Sequence, residues 1–344
     1  MVSPFTNKWL MLMVEPGRTK QYDLRSVLLY GGRALAITLP AWWVKQFNLK
    51  PGDKLEVRVA RDGSLILAPP AGFREDRMEI EINGKNKNYN YLVKEIMAAY
   101  TVGFKKIRVA NTDRAVLRRL KKLLETVVLG LSVLDESDNT ATFYSITDLH
   151  SIGFMEALKQ EFKVANRMLK LSIEGLADRK GDVLETVVET DTVVDKLYLY
   201  IARILTSTLL GEKRLEELGL VSYAEIPILY LSAKSIERVA DHAVIIASNG
   251  SKLIADGRKI SEELLDVLGE AADYFSRTGR ALVYNGPPGD QDLFRAPEEL
   301  MGLEGLSLEE ARILDSTRRI IRYSLDIAES VVELNIIRKA LGMD

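Results

Sequence analysis

Ser235-Ile-Glu-Arg-Val-Ala-Asp-His-Ala-Val-Ile-Ile-Ala247 decides how the rest of the chain is read. Ile236, Ala240, Ala243, Val244 and Ala247 recur every three or four residues, the apolar stripe of a packed helix. Glu237 and Asp241 stand four apart, so both carboxylates share one face beside that stripe. An upstream segment, Glu189-Thr-Asp-Thr-Val-Val-Asp195, repeats the arrangement with Asp191 and Asp195 next to Val194, Leu197 and Tyr198. Like charges at this spacing destabilise an exposed helix by roughly 0.2–0.5 kcal/mol. Along a packed seam they cost more unless something positive lies between them. Two such pairs on neighbouring helices gather four carboxylates, a hard oxygen donor set suited to a divalent cation. The competing reading is a solvated helix face, with Lys196 and Arg238 adjacent in sequence.

Outward from this stretch, helical periodicity runs through Ile152–Ala177, Asp182–Leu210, Ser222–Ile254, Ser261–Val283 and Leu306–Leu341. Asn285-Gly-Pro-Pro-Gly-Asp290 breaks the pattern. Antiparallel packing of these helices predicts a three-helix bundle with a further helical layer over residues 151–344. Ser316 to Ala328 aligns with Ser235 to Ala247, but Arg318 and Arg322 stand where Glu237 and Asp241 would be. The second copy also lacks a middle helix, so one metal site is expected rather than two. Two arginines four apart suit either an anion or acids on a neighbouring element; Arg318 and Arg322 are expected to pair with Glu309, Glu310, Asp315, Asp326 or Glu329.

The N-terminal half reads differently. Residues 1–24 show no clear periodicity and form an arm. Residues 25–70 alternate as strand, glycine turn and strand through Arg25-Ser-Val-Leu-Leu-Tyr-Gly-Gly-Arg-Ala-Leu-Ala-Ile-Thr-Leu-Pro40. A short helix follows at Ala41 to Phe47, then a Pro51-Gly52-Asp53 turn and a hairpin signalled by Asp62-Gly63. A unit this small buries too little apolar surface to stand alone and should dimerise. Of Trp42 and Trp43, at least one must face inward, so the pair reads as core rather than a base-stacking platform. Residues 75–148 predict a small α/β sandwich: strands at Met78 to Ile82, Lys105 to Ala110, Leu131 to Asp135 and Thr140 to Ile146, with helices at Tyr91 to Thr101 and Asp113 to Val128. The basic run Arg114, Arg118, Arg119, Lys121 and Lys122 reads as a solvated helix face.

Charge separates the same regions. The net charge of −2 divides into +5 for residues 1–70, +2 for 71–150 and −9 for 151–344. A basic head and an acidic body point to different partners at the two ends. The absence of cysteine excludes disulfides, thiolate metal sites and cysteine nucleophiles. Apolar runs such as Ile226 to Leu231 fall far short of the roughly 20 residues of a membrane span, and Trp9 to Val14 is too short for a signal-peptide core. A cytoplasmic protein without membrane insertion is expected. No nucleophile constellation or phosphate-cradling loop appears, so an enzyme is not expected.

Two family resemblances rest on these residues. Gly31-Gly-Arg-Ala-Leu-Ala-Ile-Thr-Leu-Pro40, Trp43-Val44, Leu49-Lys-Pro-Gly-Asp53 and Asp62-Gly-Ser-Leu-Ile66 resemble the SpoVT/AbrB-type swapped-hairpin fold in its archaeal form. That resemblance implies an interlocked homodimer binding DNA through arginines and lysines. Arg25, Arg33, Lys45, Lys50 and Lys54 are then the candidates for phosphate contact, which is steeply salt-dependent. Asp191-Thr-Val-Val-Asp195-Lys-Leu with Ile236-Glu-Arg-Val-Ala-Asp-His-Ala243 resembles the PhoU phosphate-uptake regulators, three-helix bundles with paired acids that bind metal clusters. Carried over, Asp191, Asp195, Glu237 and Asp241 are the ligands of iron, zinc or another divalent cation. Together the resemblances imply a phosphate-responsive transcriptional regulator with an AbrB-like head, an α/β sandwich and an all-α PhoU-like body. The alternative is an adaptor docking on a phosphate-transporter ATPase or its signalling kinase, with the head serving oligomerisation alone. His242 lies off the acid stripe and is given a minor role; His150, at the junction, has no visible partner.

Overall fold

The computed structural model describes residues 24–59, 63–69, 79–145, 152–286, 289–297 and 305–342. All of the arm except Leu24 lies outside these residues, as do Asp62 and His150. The chain divides into two compact units, Met1–Asp76 and Arg77–Asp344.

The described residues of the first unit form two hairpins and a short helix. β1 (Leu28–Tyr30) pairs antiparallel with β2 (Ala34–Ala36), placing Leu29 opposite Leu35. Gly31 and Gly32 make the turn with φ of +60° and +78°, values that favour glycine. Pro40 fixes the entry to α1 (Ala41–Gln46), where Trp43 packs on Phe47 at 5.3 Å between ring centroids and Trp42 turns outward. The Pro-Gly-Asp turn is closed by the Lys50 amide, which donates to Asp53 Oδ2 at 2.7 Å. β3 (Glu56–Val59) and β4 (Leu65–Ala68) form the second antiparallel hairpin. Neither hairpin has a covered apolar face. Leu29 is 69 % exposed, Leu35 and Val59 74 % each, and Ala68 is the only buried residue among those described in this unit. Among the described residues of this unit, large apolar side chains thus stand exposed on both hairpins.

The second unit opens with a four-stranded sheet of order β5-β6-β8-β7. β5 (Glu79–Asn83) runs parallel to β6 (Lys106–Ala110), joined by the crossover helix α2 (Tyr89–Val102). The antiparallel hairpin of β7 (Leu131–Glu136) and β8 (Thr140–Ser145) follows α3 (Arg114–Val127). Asn88 caps α2 by accepting from the Tyr91 amide at 2.9 Å, and Gly103 ends it with φ of +111°. Leu92, Ile96, Leu117, Leu120 and Leu124 of the two helices share a core with Ile107, Val109 and Phe143 of the sheet. The period-2 alternation leaves Arg108 to meet Glu81 at 3.5 Å and Lys106 to meet Glu79 at 2.6 Å across neighbouring strands.

Five long helices complete the unit: α4 (Phe154–Ala177), α5 (Gly181–Leu209), α6 (Glu225–Ala255), α7 (Glu262–Val283) and α8 (Leu308–Ala340). α4, α6, α8 and α7 pack each on the next in a closed ring, and α5 lies against α4 and α6. Small residues set the closest approaches: a methyl at Gly279 of α7 would run into the Phe162 ring of α4. The other side of α5 carries the α/β layer. Leu199 packs into that layer's core, and buried Arg203 lies over the Tyr100 ring at 4.6 Å. The Arg203 guanidinium donates to the carbonyls of Tyr100, Gly103 and Phe104, the end of α2.

Between α7 and α8 the described residues hold only a 3-10 turn, Gln291–Phe294, in line with the missing middle helix. Two of the acids expected to pair with Arg318 and Arg322 are engaged by other arginines. Glu309 meets Arg258 at 2.7 Å, and Asp315 meets Arg319 at 3.2 Å. Glu310 instead closes the α8 capping box with Ser307 and accepts from the Ser261 amide. Among the described residues no helix is long and apolar enough to cross a membrane.

Candidate functional site

Asp191 and Asp195 project from the middle of α5, and Glu237 and Asp241 from the middle of α6, where the two helices pack. Glu237 is buried; the other three are half-buried. The four act on one another. Burial, then the negative charges of Asp195, Asp241 and Glu237, push the Asp191 carboxyl up to about 6. Burial, then Glu237 and Asp241, push Asp195 to about 6 as well, against the opposing pull of Lys234 and Lys94.

A fifth acid lies beneath them. Glu161 of α4 is completely buried, and neither of its carboxyl oxygens has a hydrogen-bond partner. Burial first, and then the Glu237 charge, hold its carboxyl well above the usual range, with Lys234 opposing. Glu161 occupies the core stripe Ala157-Leu158-Glu161-Phe162-Ala165, so an acid at an apolar helical position was its sequence signal.

Two cations stand among these acids. Lys234 Nζ sits 2.5 Å from Glu237 Oε1 and 4.5 Å from the centroid of the Tyr198 ring. Tyr198 in turn donates to the Tyr230 hydroxyl at 3.2 Å. Arg238 Nη1 lies 3.1 Å from Asp241 Oδ2, and its Nε 3.8 Å from Glu237 Oε2. Glu237 Oε2 is buried and accepts no hydrogen bond. Lys234 lies one turn before Glu237, a pairing legible from spacing once the acid face is recognised.

Five acids surround two cations, and the orphaned oxygens of Glu161 and Glu237 are hard donors. This donor set fits a divalent cation of oxygen preference. As the side chains stand, no three acids among the described residues are close enough to clasp one ion. Lys234 and Arg238 hold two of the four in ion pairs. His242 is apart from them: it stacks on Tyr323 at 5.9 Å between centroids, and burial and Arg319 hold its pKa down.

In the first unit Arg25, Arg33, Lys45, Lys50 and Lys54 are all exposed. The β1–β2 hairpin puts Arg33 in its turn and Arg25 at its open end, where Arg25 Nη1 donates to Thr38 Oγ1 at 3.4 Å. Lys45 is in the last turn of α1, Lys50 in the Pro-Gly-Asp turn, and Lys54 at the approach to β3. These cations are distributed over the head rather than gathered in one pocket.

The head is thus a pair of hairpins bearing exposed cations, and the body a helical bundle with paired acids. Family models give the same division. Residues 158–249 match the PhoU domain, and residues 30–75 match the family described as antidote-toxin recognition MazE, bacterial antitoxin. The chain therefore carries a MazE/AbrB-like domain at its N-terminus and a PhoU domain in its C-terminal region. Glu161, Asp191, Asp195, Lys234, Glu237 and Asp241 all lie inside the PhoU match; Arg33, Lys45, Lys50 and Lys54 lie inside the MazE match, and Arg25 precedes it. No curated protein matches the chain.

Proposed function

We propose that this chain is a phosphate-responsive transcriptional regulator of phosphate uptake. Two copies close the head into a dimer that binds DNA, and the PhoU body reports phosphate status to it. The observation that carries this reading is the pairing, on one chain, of a MazE-type head with uncovered apolar hairpins and a PhoU body with four mutually repelling carboxylates. Dimerisation would cover Leu29, Leu35 and Val59. It would also double Arg25, Arg33, Lys45, Lys50 and Lys54 into a basic surface suited to phosphate backbones. In the body, Asp191, Asp195, Glu237 and Asp241 would hold a divalent cation such as iron or zinc, which when bound supplies positive charge to the seam of α5 and α6. No catalytic step is assigned to either unit.

Titration of duplex DNA with the full chain at several salt concentrations tests the DNA-binding part. Affinity is expected to fall by about 10³-fold or more between 50 mM and 200 mM salt, as it does for proteins making several phosphate contacts. Absence of binding at low salt, or a flat salt dependence, removes the DNA reading. The uncovered apolar hairpins also suit a second reading, in which the head only oligomerises the chain and the PhoU body docks on a transporter ATPase or its kinase. Capture of such an ATPase by a chain that binds no DNA would select it.

A further inference from the structure

Lys234 departs from the ordinary behaviour of a helix-surface lysine. Such side chains extend their ammonium into water, because desolvating it is expensive. Here the ammonium lies against Glu237 of its own helix and the Tyr198 ring of α5, and the side chain is 31 % exposed. It rests on Glu237 Oε1, the only oxygen of that carboxylate within hydrogen-bond reach of a donor, and lies over the face of Tyr198. Its charge offsets that of Asp195 on α5 and of Glu161 on α4, as well as that of Glu237 on its own helix. One ammonium thus serves acids from all three helices.

Glu161 makes the placement consequential. A fully buried carboxyl with two unpartnered oxygens is among the costliest groups to leave in a packed seam. It lies where it feels both Glu237 and Lys234. Glu161 and the orphaned Glu237 Oε2 are therefore donors without a recipient at the inner wall of the acid cluster. The cluster holds two cations, Lys234 and Arg238, and these oxygens accept a hydrogen bond from neither.

We propose that Lys234 is a tethered counter-ion: its ammonium occupies the place from which a divalent cation would bridge the acids of α5 and α6, and such a cation enters only as Lys234 leaves Glu237. This rests on the reading of Asp191, Asp195, Glu237 and Asp241 as metal ligands, and it adds Glu161 as an inner-wall oxygen. With no cation present, Lys234 neutralises part of the seam and keeps the helices together. Metal affinity is lowered by the competition, so the site responds to cation concentration instead of remaining loaded.

The test uses the full chain, freed of metal, with Mn²⁺ as the probe, followed by its paramagnetic resonance and by calorimetry. Lys234→Met keeps the stem and removes the charge. It is expected to bind Mn²⁺ about tenfold tighter than the unaltered chain, equivalent to about 1.4 kcal/mol. Lys234→Arg, which keeps the charge, is expected to show no such gain. Metal-free Lys234→Met is expected to melt below the unaltered chain and to recover when Mn²⁺ is added. If Lys234→Met does not fold, Glu161→Gln with and without Lys234→Met supplies the same comparison with one buried charge fewer. Mn²⁺ binding by the unaltered chain that is equal or weaker in Lys234→Met overturns the counter-ion proposal and leaves the metal reading standing. Failure of Mn²⁺ to bind any of these chains overturns both.

Discussion

Replacing Asp191 and Asp195 together by asparagine removes two carboxyls whose titration is displaced by their neighbours. Each rises from 3.8 to about 6 in the folded chain. At about 1.36 kcal/mol per pH unit, an isolated group so displaced would be worth nominally about 3 kcal/mol. Both side chains are half exposed, so solvent screens them, and part of the displacement is their mutual repulsion and is not to be counted twice. Together they are worth about 2 kcal/mol. The folded-state pKa lies above the unfolded one, so the folded chain holds these protons longer. Their contribution to stability is fully present below pH 3.8 and is lost as the pH climbs to about 6 and beyond. Urea unfolding of the metal-free chain and of Asp191→Asn/Asp195→Asn, measured at intervals from pH 4 to pH 7, reads this directly. The double variant is expected to gain about 2 kcal/mol relative to the unaltered chain across that interval. Groups that titrate the other way, such as Glu309, whose carboxyl the Arg258 hydrogen bond holds down, are common to both chains and drop out of the difference. A stability difference that stays flat from pH 4 to pH 7 would refute the crowding of acids at this seam.

Two further substitutions test the packing around the site. Arg203→Met keeps most of the buried stem but removes the donors to the carbonyls of Tyr100, Gly103 and Phe104. A loss of about 3–5 kcal/mol is expected, with amide exchange accelerating first at the end of α2; a loss under about 1 kcal/mol would show that the α/β layer is held by apolar packing alone. Gly279→Ala forces a methyl against the Phe162 ring, itself set edge-on to Phe275 at 5.5 Å. Overpacking of about 1–3 kcal/mol should outweigh the better helix propensity of alanine, and thermal unfolding would show the net loss.

The helical boundaries were legible because long amphipathic patterns repeat over many turns. α4 to α8 begin and end within a few residues of the stripes that announce them. The head was legible from its turns, since Gly31, Gly32 and Gly52 sit at positive φ where other residues are strained. The acid pairs were legible from a four-residue spacing on a seam. The third dimension hid the rest. Glu161 is some seventy-five residues before Glu237, and only the packing of α4 against α6 makes it a neighbour. Lys234 was ambiguous because a lysine one turn from a glutamate is ordinary on any surface helix. Arg203 gave no local sign, as its partners are the carbonyls of a helix about a hundred residues earlier. The Glu309–Arg258 pair gave no local sign either, since Arg258 follows α6 and lies some fifty residues before Glu309.

α5 joins two of these features along one rigid axis. Asp195 and Arg203 are eight residues apart, about 12 Å along a helix. One end of that span carries unbalanced charge, and the other is nailed to the terminus of α2. A helix so mounted is a lever with its fulcrum in the bundle. Any roll or slide that relieves the load at Asp191 and Asp195 must either swing the α/β layer with it or tear three carbonyls from one guanidinium.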